Sequence, residues 1–353
     1  MKFGDFLFPE SGDPGRDGAV IDDALAEARL CDALGMDAIW LAEHHFDGNC
    51  AYVDPLTFAA ALAVSTTRAA LGFAVIQTSL HHPVRLAEQL ALLDHLSKGR
   101  LVVGLGRGTF YNIYEYQGFG LDAEEAQARF EEAEEIIRKA WTGERLEHCG
   151  RFWNLRIPML RPRPYSRPHP ELYRAASSEE SILGHGRHGR PILLNPQSNA
   201  TTAERVDLYR RGMREAGFND DEIARNVGKI WVWRSIHVAD TDAKAEAIGR
   251  PAFVAMIEHR KKMRNRIKEE QGVMLSPHLA PGLNGFVCGS PATVAAELAE
   301  LAATGIGGAL MQFRLGAMPR ETATASIELF MREVAPQFRD ASQDKRLAKG
   351  GSA

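Results

Sequence analysis

The chain has 353 residues, of which 45% are hydrophobic and 25% are charged. It contains 42 Lys and Arg residues and 46 Asp and Glu residues, so that the formal net charge is −4. This composition is ordinary for a folded globular protein and excludes a mainly disordered chain, which needs low hydrophobicity and high net charge. It also excludes a nucleic-acid binder that works by bulk charge, because there is no basic surplus to neutralise phosphates.

The cysteines and the hydropathy pattern indicate a protein of a reducing compartment. Cys31, Cys50, Cys149 and Cys288 are widely spaced and include no C-x-x-C pair, so they match neither a zinc ribbon nor a thioredoxin-like motif. We expect buried free thiols. The first residues fit no signal peptide, and no apolar run reaches the roughly 18 residues of a membrane span. We therefore predict a cytoplasmic protein that partners neither membrane nor nucleic acid.

Short apolar runs alternate with longer stretches of helical periodicity along the chain. The runs that we predict as strands are residues 2–8, 37–42, 70–76, 100–105, 172–176, 191–194, 229–238 and 305–313. Strand–helix alternation implies a parallel sheet, and eight such units at this length predict an α/β fold, the closed (β/α)8 TIM barrel, as a single domain over residues 1–340. The alternative is a doubly wound sheet with a second domain. Residues 341–353 are polar and are expected to form a flexible tail.

Residues 260–285 form a long segment before the eighth predicted strand. The segment begins with the charge run RKKMRNRIKEEQ and continues as a loop that contains proline and glycine. It is either a solvated helix end or a lid over the mouth of the barrel, because long insertions in compact domains are often lids or disordered.

Titratable residues follow the second predicted strand, where the mouth of a barrel would lie. The run is Glu43-His44-His45-Phe46. Two adjacent histidines point to different faces, so we expect one of them to face the pocket and to serve in acid–base chemistry. The alternative is a histidine packed in the core. A metal site is disfavoured, since no H-E-x-x-H occurs and the first strand carries no histidine.

Glycines and an arginine follow the fourth predicted strand in the run GLGRG. The spacing is not that of a dinucleotide fingerprint. Gly106 and Gly108 would nevertheless let the backbone approach a ligand closely, and Arg107 could hold a phosphate through two contacts. The alternative is a tight turn with an arginine in solvent.

Serines follow the fifth predicted strand at the start of a helix. Ser177 and Glu180 have the spacing of a capping box, and Ser178 and Ser181 lie on one face of the first turn. Free amides and hydroxyls at a helix N-terminus bind phosphate. Because Arg107 comes from the neighbouring strand, we expect the arginine and the serines to hold one phosphate, unless the serines only cap the helix.

Aromatic residues could line the pocket of such a barrel. Phe6, Phe46 and Phe73, together with Phe8, are candidates for an apolar substrate wall, and core packing is the alternative for most of them.

The chain resembles the bacterial luciferase family of flavin-dependent monooxygenases, and within it the alpha (alkanal monooxygenase) subunit. The stretches that carry the resemblance are MKFGDFL, GMDAIWLAEHHF, HPVR, LLDHLSKGR, GLGRG, YSR, ATGI and LFMREVAPQF. They occur in order over nearly the whole chain, and W-L-x-E-H-H-F is specific for this family.

The resemblance implies a barrel that binds FMN with its ring in the mouth. It implies a phosphate site at Arg107, Ser177, Ser178 and Ser181, with His44 assisting the chemistry beside the flavin. It also implies a non-proline cis peptide at Ala74–Val75 under the ring, and a dimer, homo- or heteromeric, that pairs through the helices after strands two and three.

The resemblance further implies a two-component monooxygenase. A separate flavin reductase would supply reduced FMN, which reacts with O2 to give a C4a-peroxyflavin that oxygenates a small organic substrate such as an aldehyde or a ketone. The alternatives are hydride transfer with a deazaflavin and a non-catalytic flavin-binding subunit. The chain departs from luciferase at Gly106, where a reactive cysteine is replaced and more room is expected beside the flavin, which puts light emission in doubt. It also departs at Ser177, where a glutamate is replaced and the site becomes less acidic.

Overall fold

The computed structural model describes residues 1–108, 112–271 and 285–339. In these residues the strands are β1 (Lys2–Leu7), β2 (Ala38–Leu41), β3 (Ala70–Phe73), β4 (Ile76–Gln77), β5 (Leu101–Gly106), β6 (Leu146–Cys149), β7 (Asn154–Ile157), β8 (Glu171–Ala176), β9 (Ile192–Leu194), β10 (Trp231–Val238), β11 (Phe286–Gly289) and β12 (Gly308–Gln312). The α-helices are α1 (Asp17–Leu34), α2 (Pro55–Ser65), α3 (Pro83–Leu96), α4 (Ile113–Gly118), α5 (Ala126–Thr142), α6 (Glu179–Arg187), α7 (Asn199–Glu215), α8 (Asp220–Val227), α9 (Asp242–Gln271), α10 (Pro291–Ala303) and α11 (Arg320–Leu329).

Eight parallel strands close into a barrel. Their order around the barrel is β10-β12-β1-β2-β3-β5-β8-β9, and β9 returns to β10 through the pairs Leu193–Trp231 and Leu194–Val232. Helices follow the strands and cover them, as βα alternation requires. The predicted (β/α)8 TIM barrel is confirmed.

Successive side chains of each strand face opposite layers of the core. Phe6 and Trp40 point into the barrel and pack with Tyr173, Trp231 and Leu310. Their strand neighbours point outward and pack on the helices. Both faces of the barrel strands are therefore mostly buried and apolar, which is why the strands occur in the sequence as nearly continuous apolar runs rather than as alternating patterns.

Helix ends follow capping chemistry that the sequence carries. Asp54 accepts hydrogen bonds from the backbone amides of Leu56 and Thr57, and Pro55 occupies the first turn of α2. Gly35 ends α1 with φ 83°, a left-handed conformation that glycine adopts without a steric penalty.

Some predicted elements differ from the observed ones. The third predicted strand is divided into β3 and β4 by the peptide Ala74–Val75, which is cis. The sequence reading missed β11, a parallel strand that pairs with β10 outside the closed barrel. The charge run after residue 260 is the end of α9, which agrees with the first of its two predicted interpretations. Residues 272–284 of the predicted lid and the predicted tail at 341–353 lie outside the described residues.

The cysteines and helices bear on two further expectations. All four cysteines are free as expected, but only Cys31 is buried: Cys50 and Cys288 are half-buried, and Cys149 is exposed in the β6–β7 hairpin. In the described part of the chain, no helix combines the length and apolarity needed to cross a bilayer.

Candidate active site

The two histidines after β2 occupy different environments at the mouth of the barrel. Nε2 of His45 lies 2.8 Å from Oε1 of Glu43, and both side chains are buried. The His44 side chain is 32% exposed, and its ring meets the ring of Phe8 edge-on at 5.2 Å between centroids. His44 is therefore the member of the pair whose ring is partly open to solvent, while His45 is held by Glu43.

Glu43 is the centre of a buried hydrogen-bond network. Its Oε1 lies 2.8 Å from Nε2 of both His45 and His81, and its Oε2 accepts from the backbone amide of Gln77 at 2.7 Å. Burial raises the pKa of Glu43, but the hydrogen bonds from His45 and His81 outweigh it and lower the pKa to about 2. Because an ionised carboxylate only accepts, both histidines must donate from Nε2.

The same hydrogen bond shifts the pKa of His81 in the opposite direction. Burial lowers its pKa, but the hydrogen bond and the charge of Glu43 outweigh burial and raise the pKa above its ordinary value. Sequence reasoning left His81 in a loop, because nothing local shows that the end of β4 turns it toward the residue that follows β2.

A second carboxyl group, Glu115, lies behind His44. It is fully buried on α4, and its Oε1 accepts from the backbone amide of His45 at 2.8 Å while Oε2 accepts from Nδ2 of Asn112 at 3.0 Å. Burial raises the pKa of Glu115 although His44 opposes the shift. His44 thus stands near Glu115, whose pKa is raised, and directly follows Glu43 in the chain, whose pKa is lowered. Carboxyl groups whose pKa values are displaced in opposite directions are found where acid and base roles are divided. No motif in the sequence pointed to Glu115.

The glycines after β5 lie close to the end of the strand before it. The cis peptide expected at Ala74–Val75 is present. An added Cβ at Gly106 would lie 2.6 Å from Cγ2 of Val75, so the expectation of extra room there is wrong, because Val75 fills the space. Gly108 has φ +85°, and an added Cβ would lie 2.3 Å from Oε1 of Gln77. A side chain at position 108 would therefore strain the backbone and displace Gln77, which favours glycine there.

Arg107 and the serines leave adjacent strands at one edge of the barrel. β5 pairs with β8 through Leu105 and Arg174, so the residues that follow both strands emerge side by side. Arg107 is exposed, and its carbonyl oxygen accepts a hydrogen bond from the hydroxyl of Tyr116. Ser177 and Ser178 are exposed as well.

The start of α6 differs from the predicted capping box. Ser178 is the N-cap and accepts from the backbone amide of Ser181 at 3.2 Å, while Oγ of Ser181 donates to the carbonyl of Ser178 at 2.9 Å. The predicted box of Ser177 and Glu180 is wrong by one residue, because the backbone of Ser178 is extended and the helix begins only after it. The arginine, the exposed hydroxyls and the helix N-terminus form a set of donors that fits a phosphate.

The predicted aromatic wall is present in part. Phe6 is buried in the barrel, where it stacks on Phe8 at 6.0 Å and packs on Trp233 at 4.7 Å. Phe46 lies at the rim and is 53% exposed. Phe73 is fully buried among side chains of the helix layer, so it does not reach the mouth, because β3 points this position outward. Trp233, which the sequence reading did not single out, completes the wall.

The C-terminal part of α9 packs against the mouth from above. Its Arg260 lies over the rings of Phe8 and Trp233, 5.1 and 5.8 Å from their centroids, and pairs with Glu10 after β1. The sequence could not place this helix, because Arg260 and Glu10 are 250 positions apart. Among the residues that the structure describes, no group of three or more His, Cys, Asp or Glu side chains is arranged to hold a metal.

Comparisons with known proteins agree with this geometry. Residues 1–307 match the luciferase-like monooxygenase family. The chain is 26% identical over 360 residues to the oxygenase component of flavin-dependent trigonelline monooxygenase from Acinetobacter baylyi, which covers 99% of this chain and 98% of that one. It is 30% identical over 218 residues to the alkanal monooxygenase alpha chain of Photorhabdus luminescens, 62% of this chain and 60% of that one. The solved structure of the monooxygenase RslO1 from Streptomyces bottropensis is similar with a TM-score of 0.80 at 28% identity, covering 96% of this chain and 100% of that one.

Proposed function

The chain belongs to the luciferase-like monooxygenase family and is a flavin-dependent monooxygenase, and we propose that it is the oxygenase component of a two-component system. In this proposal a separate flavin reductase supplies reduced FMN, and the enzyme uses it with O2 to oxygenate a small organic substrate. The observation that carries the proposal is the position of His44, a partly exposed imidazole that lies 3.9 Å from the buried carboxyl group of Glu115 and edge-on against Phe8 at the mouth of a TIM-type enzyme barrel.

FMN fits this mouth with its phosphate at the edge formed by β5 and β8. Arg107 and the hydroxyls of Ser177, Ser178 and Ser181 would hold the phosphate, since they emerge beside the N-terminus of α6. Ala74, Val75, Gly106 and Gly108 would contact the ring, because this part of the mouth is lined by backbone and by the small side chain of Val75.

The chemistry is divided between the cofactor and the protein. Bound reduced FMN supplies two electrons to O2, so that one oxygen atom enters the substrate and the other leaves as water. His44 holds and delivers the proton at its imidazole, and the buried network of Glu43 and Glu115 fixes the loop that carries it. Phe6, Phe8 and Trp233 exclude water from the reacting atoms and offer an apolar surface to a substrate such as an aldehyde or a ketone.

We further propose a dimer that pairs through α2 and α3. These helices expose Val64, Leu92 and Leu96, whose exposed fractions are 73%, 51% and 37%. Exposed apolar side chains grouped on adjacent helices are typical of a protein interface.

The proposal is tested by rapid mixing. Anaerobic protein with reduced FMN is mixed with oxygenated buffer, and the return of oxidised-flavin absorbance is compared with that of free reduced FMN. The proposal predicts a delayed return, and a long-chain aldehyde serves as the first candidate to change its rate. Reoxidation at the rate of free FMN would contradict the use of FMN, and the same measurement with a reduced deazaflavin would then follow.

A further inference from the structure

Two arginines lie one helical turn apart on α9, the helix that packs against the mouth of the barrel. Arg260 and Arg264 have the spacing that places side chains on one face of a helix. The Arg260 side chain is 15% exposed, and Arg264 is partly buried. Two like charges this close repel each other. Burying both guanidinium groups is therefore unfavourable unless an anion lies beside them.

Arg260 is partly compensated by other residues of the chain. It is paired with Glu10, and its Nη2 donates to Oε1 of Gln312 at 3.4 Å. The guanidinium lies against the faces of Phe8 and Trp233, and the ring of His44 meets Phe8 from another side. Arg260 therefore belongs to the same wall as the histidine that faces the mouth.

Arg264 has no such partner. Its Nε donates to the carbonyl oxygen of Arg260 at 3.4 Å, and no carboxylate lies within 4.0 Å of it in the parts of the chain that the structure describes. The groups that face it are Tyr114, Asp47 and Arg260; burial, and then the charge of Arg260, lower the pKa of its guanidinium. The indole nitrogen of Trp233 is also buried without a hydrogen-bond partner among the described residues. The wall thus offers unused donors.

Arg260 lies across the barrel from the edge that we assign to the flavin phosphate. Arg260 contacts residues of β12 and β10 and the residues after β1, whereas Arg107 and the serines follow β5 and β8. In the closed strand order, the edge of β12 and β1 is opposite the edge of β5 and β8. A phosphate bound at the edge of β5 and β8 is therefore on the opposite side of the mouth from Arg260.

From this geometry we infer that the substrate is an organic carboxylate, with its carboxylate group bound by Arg264 and Arg260 and its apolar body against Phe8 and Trp233. The inference rests on the proposed function and specifies its substrate class. A carboxylate matches the planar fork of a guanidinium, and the aromatic faces match an apolar body. His44 then lies beside the body of the substrate rather than beside its charge, where an oxygen atom would be inserted.

Matched ligand pairs test the inference without turnover. Benzoate with benzamide, and octanoate with octanamide, are titrated by calorimetry into the protein with and without oxidised FMN. We expect each carboxylate to bind at least about tenfold more tightly than its amide, and Arg264→Gln to remove this preference, because a hydrogen bond to a charged group contributes this much. Lys262→Gln, an exposed residue on another face of the same helix, is the matched control and should keep the preference.

Arg260 needs a paired substitution, because removing it alone leaves Glu10 buried without its ion pair. Arg260→Gln combined with Glu10→Gln should also remove the carboxylate preference. Equal binding of carboxylate and amide by the wild-type protein, or a preference that survives Arg264→Gln, would overturn the inference. So would inorganic phosphate that competes as strongly as benzoate. A protein that shows the preference but reoxidises FMN at the free rate would contradict the proposed function and not the anion site.

Discussion

Nδ1 of His44 lies 3.9 Å from Oε1 of Glu115, a carboxyl group with no exposed surface. The same oxygen accepts the backbone amide of His45 at 2.8 Å. Glu115 therefore ties the loop after β2 to α4 and places a buried acid behind an imidazole that faces the mouth. The contact fixes the backbone of the loop that carries His44, through the hydrogen bond to the amide of His45.

Replacing His44 should separate binding from chemistry. His44→Ala should leave FMN binding intact, because no phosphate donor is removed, and should lower the rate of substrate oxygenation by about 100-fold, the effect of losing a general acid or base. Oxygen uptake and hydrogen peroxide release are measured together, and the variant should convert more of its oxygen to peroxide. His82→Ala, at an exposed histidine before α3, is the control. Full coupled oxygenation by His44→Ala would contradict the assigned role.

Replacing Glu43 should destabilise the fold. Glu43→Gln puts an amide where an ionised carboxylate accepts from two histidines and one backbone amide, so one donor must face another donor. We expect a loss of about 3 kcal/mol in the free energy of unfolding, the cost of an unsatisfied buried group near a charge. Urea unfolding measures it, with the exposed Glu88→Gln as control. A change equal to that of the control would show that the network is not stabilising.

The Glu43 network should also make the free energy of unfolding depend on pH. The pKa of Glu43 falls on folding from its ordinary value of 4.5 to about 2, so its contribution is present above pH 4.5 and is lost as the pH falls towards 2. The pKa of His81 rises on folding above 6.5, so its contribution is complete below pH 6.5 and is lost as the pH rises through the folded value. The stability difference between wild type and Glu43→Gln should be largest between pH 4.5 and 6.5. A difference that does not vary with pH would contradict these shifts.

The phosphate site predicts different results for two equivalent helix caps. Ser178 caps α6 at the proposed phosphate site, and Ser198 caps α7 in the same way, accepting from the backbone amide of Thr201 at 3.1 Å. Replacing either serine with alanine should cost about 1 kcal/mol of stability. Only Ser178→Ala should weaken the binding of FMN, while the affinity for riboflavin, which lacks the phosphate, should stay unchanged. Equal FMN affinity in both variants would remove Ser178 from the site.

Gly108 should tolerate substitution less well than another glycine of the same backbone conformation. Gly108 and Gly120 have φ +85° and +70°. An added Cβ at Gly108 would lie 2.3 Å from Oε1 of Gln77, whereas an added Cβ at Gly120 would have no atom within 4 Å. Both alanine variants incur the strain of a left-handed backbone, and only Gly108→Ala adds the overlap. We expect Gly108→Ala to be less stable than Gly120→Ala by at least about 1 kcal/mol in urea unfolding. Equal losses would mean that Gln77 moves aside freely.

Local patterns predicted much of the barrel and part of the site. The apolar runs predicted the eight barrel strands because both of their faces are buried. The run at Glu43–Phe46 led to the pair of histidines, because residues after a barrel strand lie at the mouth. Local patterns failed where the decisive contact comes from elsewhere. β11 is a short run after a long helix, and the capping-box spacing of Ser177 and Glu180 was satisfied one residue further on, by Ser178.

The sequence by itself determined the alternation of strands and helices, the family motifs and the position of a titratable histidine after β2, since each of these depends on neighbouring residues. Only the tertiary structure decided which histidine faces the mouth, because that depends on His45 turning toward Glu43. It also decided that Phe73 faces the helices and that Arg260 reaches Glu10 across 250 positions. Barrel closure sets both results, since it brings the ends of distant strands to one rim and assigns each side chain to the inner or the outer layer.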